Sequence, residues 1–267
     1  MTRTWLALIA LAGSGCYARV GDGEGNLAIA DAGDTSGGGS DSSGGVDVDA
    51  GVQPGADAPT PACANGRKIY LAFDGVTLTQ AGSSDATQNR ARWLTNTTST
   101  VPPWRSGNGN RASQITAVVD GVKSRLATTS IEVVTTRPAT APYVMIVLGG
   151  ERANDGGTVA SRYSYATSYH DCGDTVKNDV GWVSDMDDAP ESYVADLAVG
   201  AVGWGLGLDG TTSPADCMCG WANGCDSQSG ACTLSASIAT SIEGNVESAC
   251  QQGTQNEVAA FSTGFCQ

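Results

Sequence analysis

The run Tyr143 to Leu148 (YVMIVL) constrains this chain most: six consecutive apolar residues, closed by Pro142 on one side and Gly149-Gly150 on the other. It is far shorter than the roughly 20 residues of a membrane span. A short continuous apolar run between turn residues fits a strand buried on both faces, as in a parallel sheet. Further strands are expected at Lys68 to Phe73 (KIYLAF), which ends at the turn signal Asp74-Gly75, at Ser130 to Thr135 and at Val180 to Ser184. Between them, Ala112 to Leu126 places Ile115, Val118, Val119, Val122 and Leu126 at helical spacing, and Pro190 opens a second apolar helix reaching about Leu206. Strands alternating with helices predict an α/β domain around a twisted, mainly parallel sheet, with one amphipathic and one central helix. Leu234 to Ser248 and Asn256 to Phe261 are also expected to be helical.

The 267 residues suffice for one medium domain plus extensions. Arg3, the apolar run Trp5 to Ala12 and the small residues Gly13, Ser14 and Gly15 read as a signal peptide over 1–15. Cys16 follows directly, so the junction resembles a lipobox, although Gly13 stands where leucine is usual. Cys16 is then the expected lipid attachment site; the competing reading is an ordinary secretory signal cut near Cys16. Residues 16–62 are rich in Gly, Asp and Ser, without an aromatic residue after Tyr17. Such a stretch buries too little apolar surface to offset its ordering entropy and reads as a flexible tether. The folded part is expected over 63–267, with 220–267 as a cysteine-containing C-terminal subdomain.

Removing Cys16 from the nine cysteines leaves eight: Cys63, Cys172, Cys217, Cys219, Cys225, Cys232, Cys250 and Cys266. In an exported chain these are candidates for up to four disulfides, with the pairing open. A zinc knot in the Cys217 to Cys232 cluster is the alternative, but its spacing does not match paired C-x2-C ligands. The net charge of −14 argues against nucleic acid, whose phosphates need a basic footprint. Eight of the 28 acids lie in the tether, so the folded part is only mildly acidic.

The segment Val199 to Met218 reads VGAVGWGLGLDGTTSPADCM. Gly205, Gly207 and Gly210 match GxGxxG, but a helix precedes them where a phosphate loop needs a strand. A second comparison fits the whole stretch. It resembles the metzincin zinc peptidases, whose HExxHxxGxxH motif places two histidines on one helix face, ends the helix at glycine and returns a third histidine to the metal. Here Gly207 takes the glycine position, Leu206, Leu208 and Asp209 match the common GxxLGLDH wording, and Cys217-Met218 looks like the methionine turn. IYLAFDGVTLT at 69–79, IEVVTTRPATAPYVMIVLGG at 131–150 and DVGWVSD at 179–185 look like the strands of bacterial lipoprotein members, so the resemblance covers roughly 66–220.

That resemblance implies a metallopeptidase-like fold without its chemistry. The histidine positions hold Gly200, Trp204 and Gly210, and the position of the general-base glutamate holds Ala201. His170 is the single histidine of the chain, so three-histidine ligation is impossible and no zinc or other cofactor is expected. Asp209 stands near the third ligand position but beside two empty ones. Trp204 is expected to fill the vacated volume, gaining roughly 25 cal/mol per Å² of apolar area buried. Gly200, Gly203, Gly205 and Gly207 each cost a helix about 1 kcal/mol relative to alanine, so this helix is expected to depend on tertiary packing.

His170, in YHDCGD, is expected at the surface near a disulfide, with a Ser-His-Asp arrangement as the alternative; no GxSxG elbow accompanies it. Asp185, Asp187 and Asp188 read as a solvated turn, or a loose Ca²⁺ site. Trp93, Trp104, Trp182 and Trp221 read as partly buried core, or as a binding surface. The expected whole is a pseudoenzyme of the envelope, tethered through Cys16. Tyr17, rather than aspartate, after that cysteine implies the outer membrane or surface of a Gram-negative bacterium. Its expected partner is a protein, a peptide or a polysaccharide in the former substrate cleft. The alternatives are a hydrolase with other groups, a structural surface lipoprotein, and a decoy of an active relative.

Overall fold

The computed structural model describes residues 66–186, 189–221, 225, 231–241, 249–251 and 253–266. The leader, Cys16, the tether, Cys63, Asp187 and Asp188 lie outside them. Strand β1 (Lys68–Ala72) leads into a small sheet of β2 (Val76–Gln80), β3 (Arg90–Ala91) and β4 (Thr98–Val101). Helix α1 (Arg111–Arg125) follows, then β5 (Glu132–Val134), β6 (Tyr143–Leu148), β7 (Ala166–Thr167), β8 (Val180–Val183) and helix α2 (Glu191–Gly205). A short pair, β9 (Ile238–Ala239) and β10 (Thr254–Gln255), precedes helix α3 (Glu257–Phe265). The fold is mixed α/β.

The main sheet has the order β5-β1-β6-β8-β7. Its first four strands are parallel, and β7 closes the edge antiparallel to β8. The apolar run is the central strand β6, buried at all six positions. Its side chains alternate between two cores, as the pleat requires. Val144, Ile146 and Leu148 face α1 and α2, whereas Tyr143, Met145 and Val147 face the small sheet through Leu78, Ala91 and Val101. The double coverage explains why the run shows no polar alternation.

Helix α2 is the axis of the first core. Every residue from Val194 to Gly205 is buried, the expectation for a helix apolar all round. It lies close on α1, where a Cβ at Gly121 would stand 2.8 Å from the Ala195 Cβ. Asp196 carries a charge into this contact and pairs with Arg125, while accepting from the Cys232 N–H at 3.2 Å. At its N-terminus, Arg105 donates to Glu191 Oε1 (2.5 Å) and to the Ala189 carbonyl (2.5 Å), tying the first turn to the loop after β4.

The elements expected between 68 and 206 are all present, with ends shifted by no more than two residues. Asn256 caps α3 by accepting from the Ala259 N–H at 2.8 Å, and the helix runs on to Phe265 rather than Phe261. The helix expected over Leu234 to Ser248 is not formed in Leu234–Ser241, which is extended and contains β9; residues 242–248 lie outside the described set. Its backbone groups are taken by distant partners. The Ser235 carbonyl accepts from the Glu257 N–H, the Thr240 N–H donates to Gly253, and the Ser241 N–H donates to Gly210. Local helical propensity yields to these long-range bonds.

Candidate functional site

The motif segment forms the last two turns of α2 and the chain just beyond. The helix ends in a Schellman turn: the Gly207 N–H donates to the Trp204 carbonyl (3.0 Å) and the Leu208 N–H to the Gly203 carbonyl (3.0 Å). Gly207 adopts φ +77°, and a Cβ there would meet the Asp171 carbonyl oxygen at 2.7 Å. Both facts require glycine at this position.

The glycines inside α2 are sockets for side chains from elsewhere. A Cβ at Gly200 would lie closer than 3.0 Å to the Trp221 indole nitrogen, nearer than real Cβ atoms approach any heavy atom. At Gly203 it would meet the Met218 sulfur at 2.6 Å, and at Gly205 it would collide with the Asp179 carboxylate. The helix therefore gives up intrinsic propensity at these positions for close approach of an indole, a thioether and a carboxyl group. Ala201 is fully buried, and the neighbouring turn holds Leu206 and Leu208 in the same core.

Trp204 is the centre of a three-ring stack. One face lies on the His170 imidazole, with centroids 3.8 Å apart and planes at 15°. Trp221 leans on the indole at 5.9 Å and 34°. The stack is buried: Trp204 is 5 % exposed, Trp221 8 %, and the His170 side chain 1 %. His170 is thus a buried ring and not the surface histidine expected from its polar sequence neighbours. The indole surface of Trp204 covers it.

Beyond His170 the site turns polar. Asp209 is fully buried and approaches His170 Nε2 to 3.2 Å. Its two oxygens accept from the Cys250 N–H (3.0 Å) and the Gln251 N–H (2.7 Å). Burial works to raise the Asp209 pKa, but His170 and these two backbone donors outweigh it and hold the carboxyl below its ordinary value. Gln255 grips the Asp209 backbone at both ends, accepting from its N–H (2.8 Å) and donating to its carbonyl (2.9 Å).

Gln255 shares its Nε2 with Glu257 Oε1 at 2.8 Å, which extends the network to a buried acid pair. Glu257 Oε2 accepts from the Ser235 N–H (2.9 Å), and Asp216 Oδ2 from the Ser235 hydroxyl (2.8 Å). Asp216 Oδ1 also accepts from the Met218 N–H (2.9 Å) and the Thr211 hydroxyl (3.1 Å), so it sets the turn that carries Met218. Burial, followed by the neighbouring Asp216 charge, pushes Glu257 up to about 8. Burial likewise pushes Asp179 up to about 7, against the lowering effect of the Ser168 hydroxyl, which donates to it at 2.6 Å.

Three disulfides frame this region: Cys172–Cys250, Cys217–Cys232 and Cys219–Cys225. Cys266 is also disulfide-bonded. Pairing in the Cys217 to Cys232 cluster leaves no thiolate for a zinc knot. Of the expected positions, Gly200, Ala201, Trp204, Gly207, Gly210 and Met218 come together around the end of α2, all buried. The residues that the resemblance sets at ligand positions, Gly200, Trp204 and Gly210, do not fit a metal ion: two lack side chains, and the third presents an indole. Trp104 and Trp182 are fully buried core, and Trp93 is half-buried with its N–H on the Val180 carbonyl at 2.7 Å. Asp185 is not a solvated turn residue; it accepts from the Arg105 N–H at 2.6 Å.

Trp221, Asp216, Gln255, Glu257 and Asp179 carry much of this site, and the sequence reading did not place them there. Trp221 had a usable signal: a large ring three residues beyond Met218, in a chain whose motif helix carries Gly200, Gly203 and Gly205. The buried acids had none, since nothing local separates them from solvated ones. Comparison with known protein families, curated proteins and solved structures finds no match for this chain.

Proposed function

We propose that this chain is a non-catalytic, metallopeptidase-like domain carried on the cell envelope, and that it acts by binding a protein or peptide. The single observation behind the loss of catalysis is the Trp221 indole at Gly200. The first metal-ligand position of the motif cannot hold any side chain while that ring stays. Trp204 at the second position spends its ring on His170 and Trp221, and Ala201 offers no proton-carrying group. A metzincin-like ancestry is supported by the parallel strands with one antiparallel edge strand, the glycine-ended helix and the Met218 sulfur beneath it.

The tethering part of the proposal rests on the leader, Cys16 and the Gly/Asp/Ser-rich segment, with the outer membrane or cell surface as location. No described helix is long and apolar enough to cross a membrane. Disulfides and a doubly covered sheet keep the scaffold rigid after its chemistry is lost, which suits a binding role outside the cytoplasm.

The test is peptide hydrolysis by the full chain, using quenched-fluorescence peptide libraries with and without added Zn²⁺, beside a binding selection on the same libraries. The proposal expects selected binders and no cleavage above the blank. Cleavage that a chelator abolishes would overturn it.

A further inference from the structure

Cys172–Cys250 differs from the other two disulfides between described cysteines. Cys172 is exposed and Cys250 half-buried, whereas Cys217, Cys219, Cys225 and Cys232 are all buried. A reductant therefore reaches this bond before those two, since access governs thiol–disulfide exchange. It also lies against the polar side of the ring stack. Ligand atoms of His170, Asp209 and Cys250 all fall within 4.8 Å of one another. In the oxidised chain this is not a metal site, because the Cys250 sulfur is committed to Cys172.

The remaining two groups lie within 4.8 Å of that sulfur. His170 Nε2 is buried, and Asp209 Oδ1 stands 3.2 Å from it. The Trp204 stack fixes the plane of the imidazole. Asp209 uses one lone pair of each oxygen on the Cys250 and Gln251 N–H groups, which leaves further lone pairs on a carboxylate. Nitrogen, oxygen and thiolate sulfur together are a ligand set for zinc.

We propose that reduction of Cys172–Cys250 opens a zinc site made by His170 Nε2, the Asp209 carboxylate and the Cys250 thiolate. A dithiol reductant supplies the two electrons and two protons. Its own sulfurs join as a disulfide, the Cys172–Cys250 bond breaks, and two thiols result. Zinc then displaces the Cys250 thiol proton to solvent, and the fourth position falls to water or the freed Cys172. Bonds of about 2.0–2.3 Å hold tetrahedral ligands roughly 3.3–3.8 Å apart. The group must thus contract by roughly 1 Å, and cutting the tie between its two loops frees Cys250 to move. This site differs from the ligand positions of the resembled peptidases, which Gly200, Trp204 and Gly210 leave empty.

The test uses the full chain and Co²⁺ as a spectroscopic probe, displaced afterwards by Zn²⁺. A phosphine is added at the dose that opens only Cys172–Cys250, mapped by differential alkylation and mass spectrometry. One equivalent of cobalt should bind, with a thiolate-to-cobalt charge-transfer band, and only after reduction. Cys172→Ala leaves Cys250 as a thiol with the other disulfides intact, and should show the same band without reductant. In that background His170→Gln, which keeps a planar polar side chain, should weaken binding about a hundredfold or more, since even supporting groups around a metal are worth about 10–100-fold. No band from the mapped, reduced chain or from Cys172→Ala would overturn the inference, as would a band that His170→Gln leaves unchanged. Zinc held by the untreated chain would contradict both this gating and the filled-site reading; failure to bind after reduction contradicts only the present inference.

Discussion

The two sides of the Trp204 ring are packed in different ways. Toward Trp221 the packing is by volume: an indole in the Gly200 socket and a thioether at Gly203. Toward His170 it is hydrogen bonding, with Asp209, Gln255, Glu257 and Asp216 linked through buried contacts. The first side tolerates no added atom and is indifferent to pH. The second tolerates isosteric exchange but depends on where protons sit. One buried ring can thus be held by shape on one side and by hydrogen bonds on the other, and the two sides fail under different perturbations.

The largest effect should come from breaking the volume side. Trp204→Ala removes a buried ring that two others rest on, and a loss of about 3–5 kcal/mol in urea unfolding is expected. A change under about 1 kcal/mol would mean that the ring fills nothing that matters. Gly200→His should follow at about 3 kcal/mol, because the new Cβ must evict Trp221. Zinc should not rescue that variant, since Trp204 and Gly210 add no second ligand.

On the polar side, pH is the sharper tool. Glu257 is raised to about 8 from 4.5, and Asp179 to about 7 from 3.8. Both therefore bind protons in the folded chain that the unfolded chain has released. Their contribution to stability is complete below the unfolded values and is lost as pH rises through the folded ones. Unfolding at stepped pH should show stability falling between about pH 5 and 8, and Glu257→Gln should flatten part of that slope. An unchanged slope would remove Glu257 from the account. The smallest effect is expected for Asp209→Asn, about 1–3 kcal/mol, since the amide keeps the shape but cannot accept on both sides.

The same division decides what was legible in the sequence. The apolar run of β6, the spacing of α1 and the proline before α2 are local signals, and those elements lie where they were expected. The absence of histidine at 200, 204 and 210 is also a local fact, as is the glycine that ends α2. What packs at those positions was not local. Trp221 reaches Gly200 from beyond the turn carrying Met218, and the burial of His170 follows from a ring 34 residues away. Glu257 and Asp216 meet through Ser235, a residue expected inside a helix that long-range bonds prevented. Pairing of Cys172 with Cys250 spans 78 residues and left no trace in the spacing.

The most direct test of the central claim is the zinc content of the purified, unreduced full chain, read by elemental mass spectrometry after dialysis against a weak chelator. A chain whose ligand positions are closed by Trp204 and Trp221 should carry no stoichiometric zinc. One equivalent of zinc per chain would contradict the account, because the metal would then occupy a site that these two rings are said to fill.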